Sequence, residues 1–236
     1  MYRHWIKGSD LVSFEVTVRQ TDLYIRARRN LKDKAHKSVL KHRGALEAYI
    51  AHHPLFLTTL EPYHAEAGAP AIVREMASVS ELTGVGPMAA VAGAIAEAVG
   101  RDLLEFSPEV IVENGGDIFV KTSRKRLVGI YAAESYFTRK IALEIVPGET
   151  PLGICTSSGT VGHSLSLGSA DAVVALSTSV ALADAAATAL ANMVNEADDI
   201  PGAIERAQRI EGLRGVVIVL GDKMGVWGKV KIVPLG

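Results

Sequence analysis

The strongest constraint on this chain is a unit that occurs twice. A helix built from small residues, 88–99, leads to the apolar run Val110-Ile111-Val112, the segment Glu113-Asn114-Gly115-Gly116-Asp117, and the strand-like run Ile118-Phe119-Val120. A second small-residue helix, 180–194, leads to the apolar run 216–220, the turn Gly221-Asp222, and Met224-Gly225-Val226. Both units read helix, apolar strand, Gly-Asp turn, strand, which is the pattern of a degenerate internal duplication. Hairpins commonly turn at Gly and Asp, so the turn alone says less than the order of the parts. Alanine and glycine let a helix approach a sheet or another helix closely, and they leave room for a ligand at a helix end.

The rest of the chain fits a mixed helix-and-sheet plan. Val12, Phe14, Val16 and Val18 alternate with polar residues, and after a turn at 20–22 a second run, 23–27, completes a hairpin. Ala35, Val39, Leu46 and Ile50 recur at helical spacing over 32–53, and Pro54 ends that helix. Residues 54–69 read as a long irregular connection. Helices are predicted over 70–82 and 87–99, with Pro87 suited to a first turn. Short strands are expected at 109–113, 117–121, 126–132, 140–145, 152–157 and 171–177. The small-residue helix 179–195, a shorter helix 201–209 and strands near 215–220, 224–227 and 230–233 complete the chain. The expected class is α+β, with duplicated helix-on-antiparallel-sheet units resembling a T-fold. The expected organisation is one domain over 1–236, or two intertwined lobes near 1–150 and 151–236.

Charge and cysteine content narrow the function. A formal net charge of −1 gives no reason to expect nucleic-acid binding by the whole molecule. The apolar runs are too short and too alanine-rich to span a bilayer, and residues 1–10 show no secretory leader, so a cytoplasmic protein without a membrane partner is expected. The single cysteine, Cys155, rules out a disulfide within the chain and argues against a thiolate zinc site. The basic residues between Arg26 and Arg43 fit a solvated strand edge and helix face better than a docking surface. The apolar strands and Ala-rich helices leave an edge or face through which a homodimer could form.

Three segments carry candidate chemistry. Asp184 and Thr188 lie four residues apart in an otherwise apolar helix, so both face the same side. A carboxylate and a hydroxyl there suit a hard cation such as Mg²⁺. The alternative is an exposed or Arg-paired Asp184, with Thr188 bonding back to its own helix. Asn114, Gly115, Gly116 and Asp117 form a glycine turn whose N–H groups can approach an anion, or simply a hairpin turn. Thr156, Ser157, Ser158 and Gly159 open a hydroxyl-rich loop that contains His163 and suits a phosphate or ribose, or is a plain polar loop.

In order, the Asn-Gly-Gly-Asp turn, the Thr-Ser-Ser-Gly loop with its following His, and Asp-Ala-Ala-Ala-Thr resemble the ApbE family of FAD:protein FMN transferases. The resemblance covers about 83–195. It implies Mg²⁺ on Asp184 and Thr188. It implies a flavin (FAD) or another nucleotide against Asn114, Gly115, Gly116, Asp117, Thr156, Ser157, Ser158 and Gly159. His163 would sit near the transfer centre as the catalytic acid or base. Two family features are missing: residues 83–90 contain no lysine, and His163 is followed by Ser-Leu rather than leading to Asp-Pro. The chain is therefore similar to an ApbE-related branch of anaerobic archaea and bacteria whose relatives are associated with sulfide assimilation into homocysteine. That gives two expectations: a Mg²⁺-dependent flavin- or nucleotide-binding transferase or hydrolase, or a noncatalytic accessory factor with a protein partner in sulfur metabolism.

Overall fold

The structure is a computed structural model in which residues 10–159 and 167–235 are described. The first hairpin is β1 (Val12–Val18) and β2 (Thr21–Ala27), joined by Arg19 and Gln20. Helix α1 (Lys32–His52), the single-turn α2 (Leu55–Thr58) and α3 (Ala71–Thr83) follow. After a 3-10 turn at Pro87–Ala90 comes α4 (Val91–Leu104), then the hairpin β3 (Val110–Asn114) and β4 (Asp117–Lys121). Next are β5 (Arg126–Gly129), β6 (Ile141–Ile145), β7 (Leu152–Ser157) and β8 (Ala172–Ser177). Helices α5 (Val180–Ala191) and α6 (Ile200–Gln208) precede β9 (Leu213–Leu220), β10 (Lys223–Gly228) and β11 (Ile232–Pro234).

Eight strands form one antiparallel sheet in the order β1-β2-β3-β4-β7-β8-β9-β10. Each half of it runs two strands, helices, two strands, and the halves join where β4 pairs β7. The repeated unit thus belongs to a larger repeat that also takes in β1–β2 and β7–β8. The last strand departs from the predicted succession: β11 leaves the large sheet and pairs β6 in a three-stranded sheet, β11-β6-β5.

Three layers result. The helices cover one face of the large sheet, and the small sheet covers part of the other. Val110, Val112, Phe119 and Cys155 belong to the helix-side core, whereas Ile111, Ile118, Ile154 and Val217 belong to the core under the small sheet. Burial on both faces explains the unbroken apolar runs Val110–Val112 in β3, Ala172–Leu176 in β8 and Val216–Leu220 in β9, although antiparallel strands more often alternate. Small residues bring the helix layer close. A Cβ on Gly93 of α4 would lie 2.6 Å from the Val180 carbonyl oxygen of α5, and one on Gly100 would lie 2.2 Å from the Phe119 ring. Among the described residues no single helix is long and apolar enough to cross a membrane.

Candidate functional site

Strand alternation fixes which side chains the sheet offers to the helices. On β3 and β4, Asn114 and Asp117 share the face of Val112 and Phe119. On β7, Ser157 shares the face of Cys155. These four residues lie at one end of the seam between the halves, beneath α4 and α5.

Helix α4 begins without a capping side chain of its own, which leaves its first N–H groups in need of acceptors. Asp184 supplies one: Gly93 N donates to its Oδ2 at 2.8 Å. Every residue of α5 except Asp184 is buried, so the carboxylate stands alone on an apolar helix and is aimed at its neighbour. Asn114 reaches the same place from below, its Nδ2 donating to Ala92 O at 3.0 Å. The Ala92–Gly93 peptide therefore joins the sheet's turn to α5.

Asp117 lies beneath them. It is 7% exposed, it bonds the Cys155 thiol and the Thr156 backbone, and its Oδ1 has no hydrogen-bond partner. Burial, reinforced by the nearby Glu113 charge, pushes its pKa up to about 7. Burial and then the Asp117 charge raise Asp184 well above the usual carboxylate range, although part of that residue stays accessible. Two carboxyl groups this close cannot both ionise cheaply without a cation. Cys155 is fully buried, donates to Val180 O at 3.4 Å, and has its thiol pKa raised by burial and then by Asp117 and Asp184.

The other predicted residues separate. Gly115 and Gly116 have φ of +66° and +111°, and open space surrounds the position of a Cβ at each. The turn demands glycine for its backbone conformation, and Gly116 N is already bonded to Glu113 Oε1 at 2.9 Å. Ser157 is buried, with an Oγ that has no partner. Thr156 is turned to the opposite face of the sheet. Ser158 and Gly159 are tied to Ala170 O, at 3.5 and 2.9 Å, beside the C-terminal end of α5. Thr188 is buried one turn beyond Asp184. His163 lies outside the described residues.

The donors fit Mg²⁺ in kind. Among the described residues no three His, Cys, Asp or Glu side chains gather as a metal cluster. A site of one or two carboxylates, completed by a hydroxyl, water and ligand phosphates, is what Mg²⁺ takes. The partnerless Asp117 oxygen and the raised pKa values of Asp117 and Asp184 mark carboxyl groups that lack a cation and hold protons in its place.

Sequence reasoning missed several partners. Glu113, a carboxylate inside a buried strand, was a readable signal. The backbone of Ala92 and Gly93 was not, because nothing in an Ala-Gly pair announces which side chain will cap it. Nor was the cavity of about 620 Å³ between α1, α4 and the β1–β2 turn, which reaches Asn114 and Ala92.

An antiparallel sheet of two like halves, covered by helices on one face, is the fold of the ApbE structures. The apo flavinyl transferase ApbE of Pseudomonas stutzeri has this fold, with a TM-score of 0.62 at 14% identity, covering 93% of this chain and 94% of that one. The Thermotoga maritima ApbE protein gives 0.54 at 10% identity, over 91% and 96%. Within that class the chain belongs to the family described as AbpE bacteria, whose model matches residues 3–226. It is similar to the UPF0280 protein of Methanocaldococcus jannaschii, 43% identical over 84% of this chain and 82% of that protein. The UPF0280 protein of Methanopyrus kandleri is 41% identical over 93% and 91%.

Proposed function

We propose that this protein is a Mg²⁺-dependent, flavin- or nucleotide-binding cytoplasmic enzyme that exchanges or hydrolyses a phosphoester bond. The observation that supports this reading is the pair of buried carboxyl groups, Asp117 on β4 and Asp184 on α5 above it, which has fewer donors than acceptor oxygens. Asp184 and Thr188 would hold Mg²⁺, which when bound neutralises charge on ligand phosphates. Asp184 would keep its bond to Gly93 and so hold the first turn of α4 towards the phosphates. Ser157 would offer its unpaired hydroxyl to the ligand. Gly115, by its open surroundings, would let the ligand approach the backbone. His163 would act as acid or base.

The experiment is thermal unfolding against FAD, FMN, ADP and ATP, each with and without Mg²⁺, for the wild type and Asp184→Asn. The amide keeps an acceptor for Gly93 N but loses the charge. A ligand that binds the folded state must raise the midpoint. The reading requires a Mg²⁺-dependent rise with a flavin or nucleotide that Asp184→Asn abolishes. A rise unchanged in the variant removes the metal role.

The second reading, a noncatalytic accessory factor in anaerobic sulfide assimilation to homocysteine, is favoured by the absence of lysine from 83–90. A sulfur-carrying Cys155 is disfavoured, since a fully buried thiol with a raised pKa is a poor nucleophile. A Mg²⁺-independent capture of a sulfur-pathway protein, with no nucleotide effect, would favour this second reading. A homodimer would form through the open edge at β1 or β10, and light scattering on the purified protein tests it.

A further inference from the structure

A separate cavity lies between the two sheets, at the end of the large sheet away from the carboxylates. Strand β7 runs from Leu152 in the cavity wall to Ser157 at the carboxylate end, a distance of about 17 Å along an extended strand. The cavity volume is about 280 Å³, at the lower edge of small-molecule sites. Its buried lining is hydrocarbon: Leu143 and Ile145 of β6, Leu152 of β7 and Leu176 of β8.

The mouth is formed by a strap, 228–231, that carries the chain from the large sheet to the small one. Gly228 has a φ of +86°, and a Cβ there would lie 2.2 Å from the Arg214 carbonyl oxygen. Lys229 N donates to Arg214 O at 2.8 Å, and Glu144 N donates to Lys231 O at 2.9 Å. One bond thus fixes the strap to each sheet, and the opening is set by the backbone. Alternation turns Val230 onto the core under the small sheet and leaves Lys229 and Lys231 exposed.

Charge at this mouth is unbalanced. Glu144 is shared by Lys231 at 2.6 Å and Lys125 at 3.0 Å. Arg214 donates to Glu149 O at 3.2 Å, a carbonyl rather than a carboxylate. Among the described residues the Lys229 ammonium has no partner. Arg214 and Lys229 are therefore two cations without an anion, at the open end of a hydrocarbon pocket.

We propose that this cavity binds a small carboxylic acid with an apolar body, an arylalkanoate or a branched-chain acid. The hydrocarbon part lies against Leu143, Ile145, Leu152 and Leu176, and the carboxylate accepts from the Arg214 guanidinium and the Lys229 ammonium. A guanidinium fork matches the two oxygens of a carboxylate. The hydrocarbon lining offers nothing to a sugar hydroxyl or a base edge, which would be buried without partners. The site is independent of Mg²⁺ and of any nucleotide.

The test is calorimetric titration of the full chain, in EDTA, with phenylacetate and with phenylacetamide, its uncharged counterpart. The acid should bind, and the amide should bind at least about tenfold more weakly. Lys229→Glu changes an exposed side chain that makes no bond in the fold. It should weaken the acid by about tenfold or more and leave the melting temperature unchanged. Val230→Trp, which narrows the cavity from the strap, should abolish binding of both compounds. Asp184→Asn should leave the acid's affinity as it is in the wild type. Absence of acid binding, equal binding of acid and amide, or wild-type affinity in Lys229→Glu overturns the assignment. A loss of acid binding in Asp184→Asn places the acid at the carboxylate end and overturns it as well.

Discussion

Asp117 on the sheet and Asp184 on the helix above it feel each other's charge, and the cheapest neutraliser at hand is a proton. Asp117 has its pKa raised from 3.8 to about 7. At acid pH both folded and unfolded states hold that proton. Between about pH 4 and 7 the unfolded chain releases it and the folded one does not, so metal-free stability falls as pH rises through that window. Asp117→Asn should reduce this dependence, leaving the part that the burial of Asp184 carries, and should stabilise the metal-free protein at pH 8 by about 2–4 kcal/mol. Melting curves at pH 5 and pH 8 in EDTA check it, and Mg²⁺ should restore the wild type at pH 8. Single residues of this kind were partly legible. Asp184 and Thr188 were visible by spacing, and Asp117 by its turn. The electrostatic coupling of Asp117 and Asp184 was not, because they lie far apart in sequence and only the folded sheet brings them near each other.

At the scale of elements, the crossing of α4 and α5 depends on glycine. Gly93 faces the Val180 carbonyl and the Asp184 Cβ at 2.6 and 2.8 Å from where its own Cβ would be. Gly93→Ala should therefore cost about 1–3 kcal/mol by overpacking, despite alanine's better helix propensity, and urea denaturation would read it. Helix α5 is held at its start by two acceptors: Ser179 Oγ accepts from Leu182 N at 3.1 Å, and Glu97 Oε2 accepts from Val180 N at 2.6 Å. Glu97→Ala should cost about 1–3 kcal/mol, since Val180 N is buried and loses its partner. Element positions were legible because hydrophobic period and turn residues are local signals. Predicted bounds of 32–53, 117–121 and 152–157 lie within a residue of α1, β4 and β7. The destination of β11 was not, because three residues of Ile-Val-Pro carry no mark of which sheet they will join.

Across the whole molecule, the two sheets are tied by a charged cluster that sequence did not reveal. Arg126 of β5 donates to Asp10 Oδ1 and Oδ2 at 2.6 and 2.9 Å and reaches Glu109 Oε2 at 3.2 Å. Burial alone would raise Glu109, but bonds from Ser123, Thr122 and Arg126 outweigh it and hold its pKa at about 2. Asp10, bonded chiefly by Arg126, is also held at about 2. Both are lowered, so their stabilisation is complete above about pH 4.5 and is lost as pH falls through about 2. Arg126→Met should destabilise by about 1.5–3 kcal/mol, because Glu109 keeps Arg28, Thr122 and Ser123 but loses a charged donor, as does Asp10, and it should flatten the acid limb of a pH–stability curve. Arg26 shows the same blind spot: within the basic stretch read as solvated, it is 6% exposed. The duplicated architecture was legible from the repeated order of parts. Charge burial was not, since a charged residue carries no sign of the partner that will enclose it.

The Ala92–Gly93 peptide has one more consequence. Its carbonyl is held by Asn114 and its N–H by Asp184. A peptide group is a rigid plane, so its two ends share a single rotation. Turning that plane would break both bonds at once, so a sheet side chain and a helix side chain together lock the direction in which the first turn of α4 points.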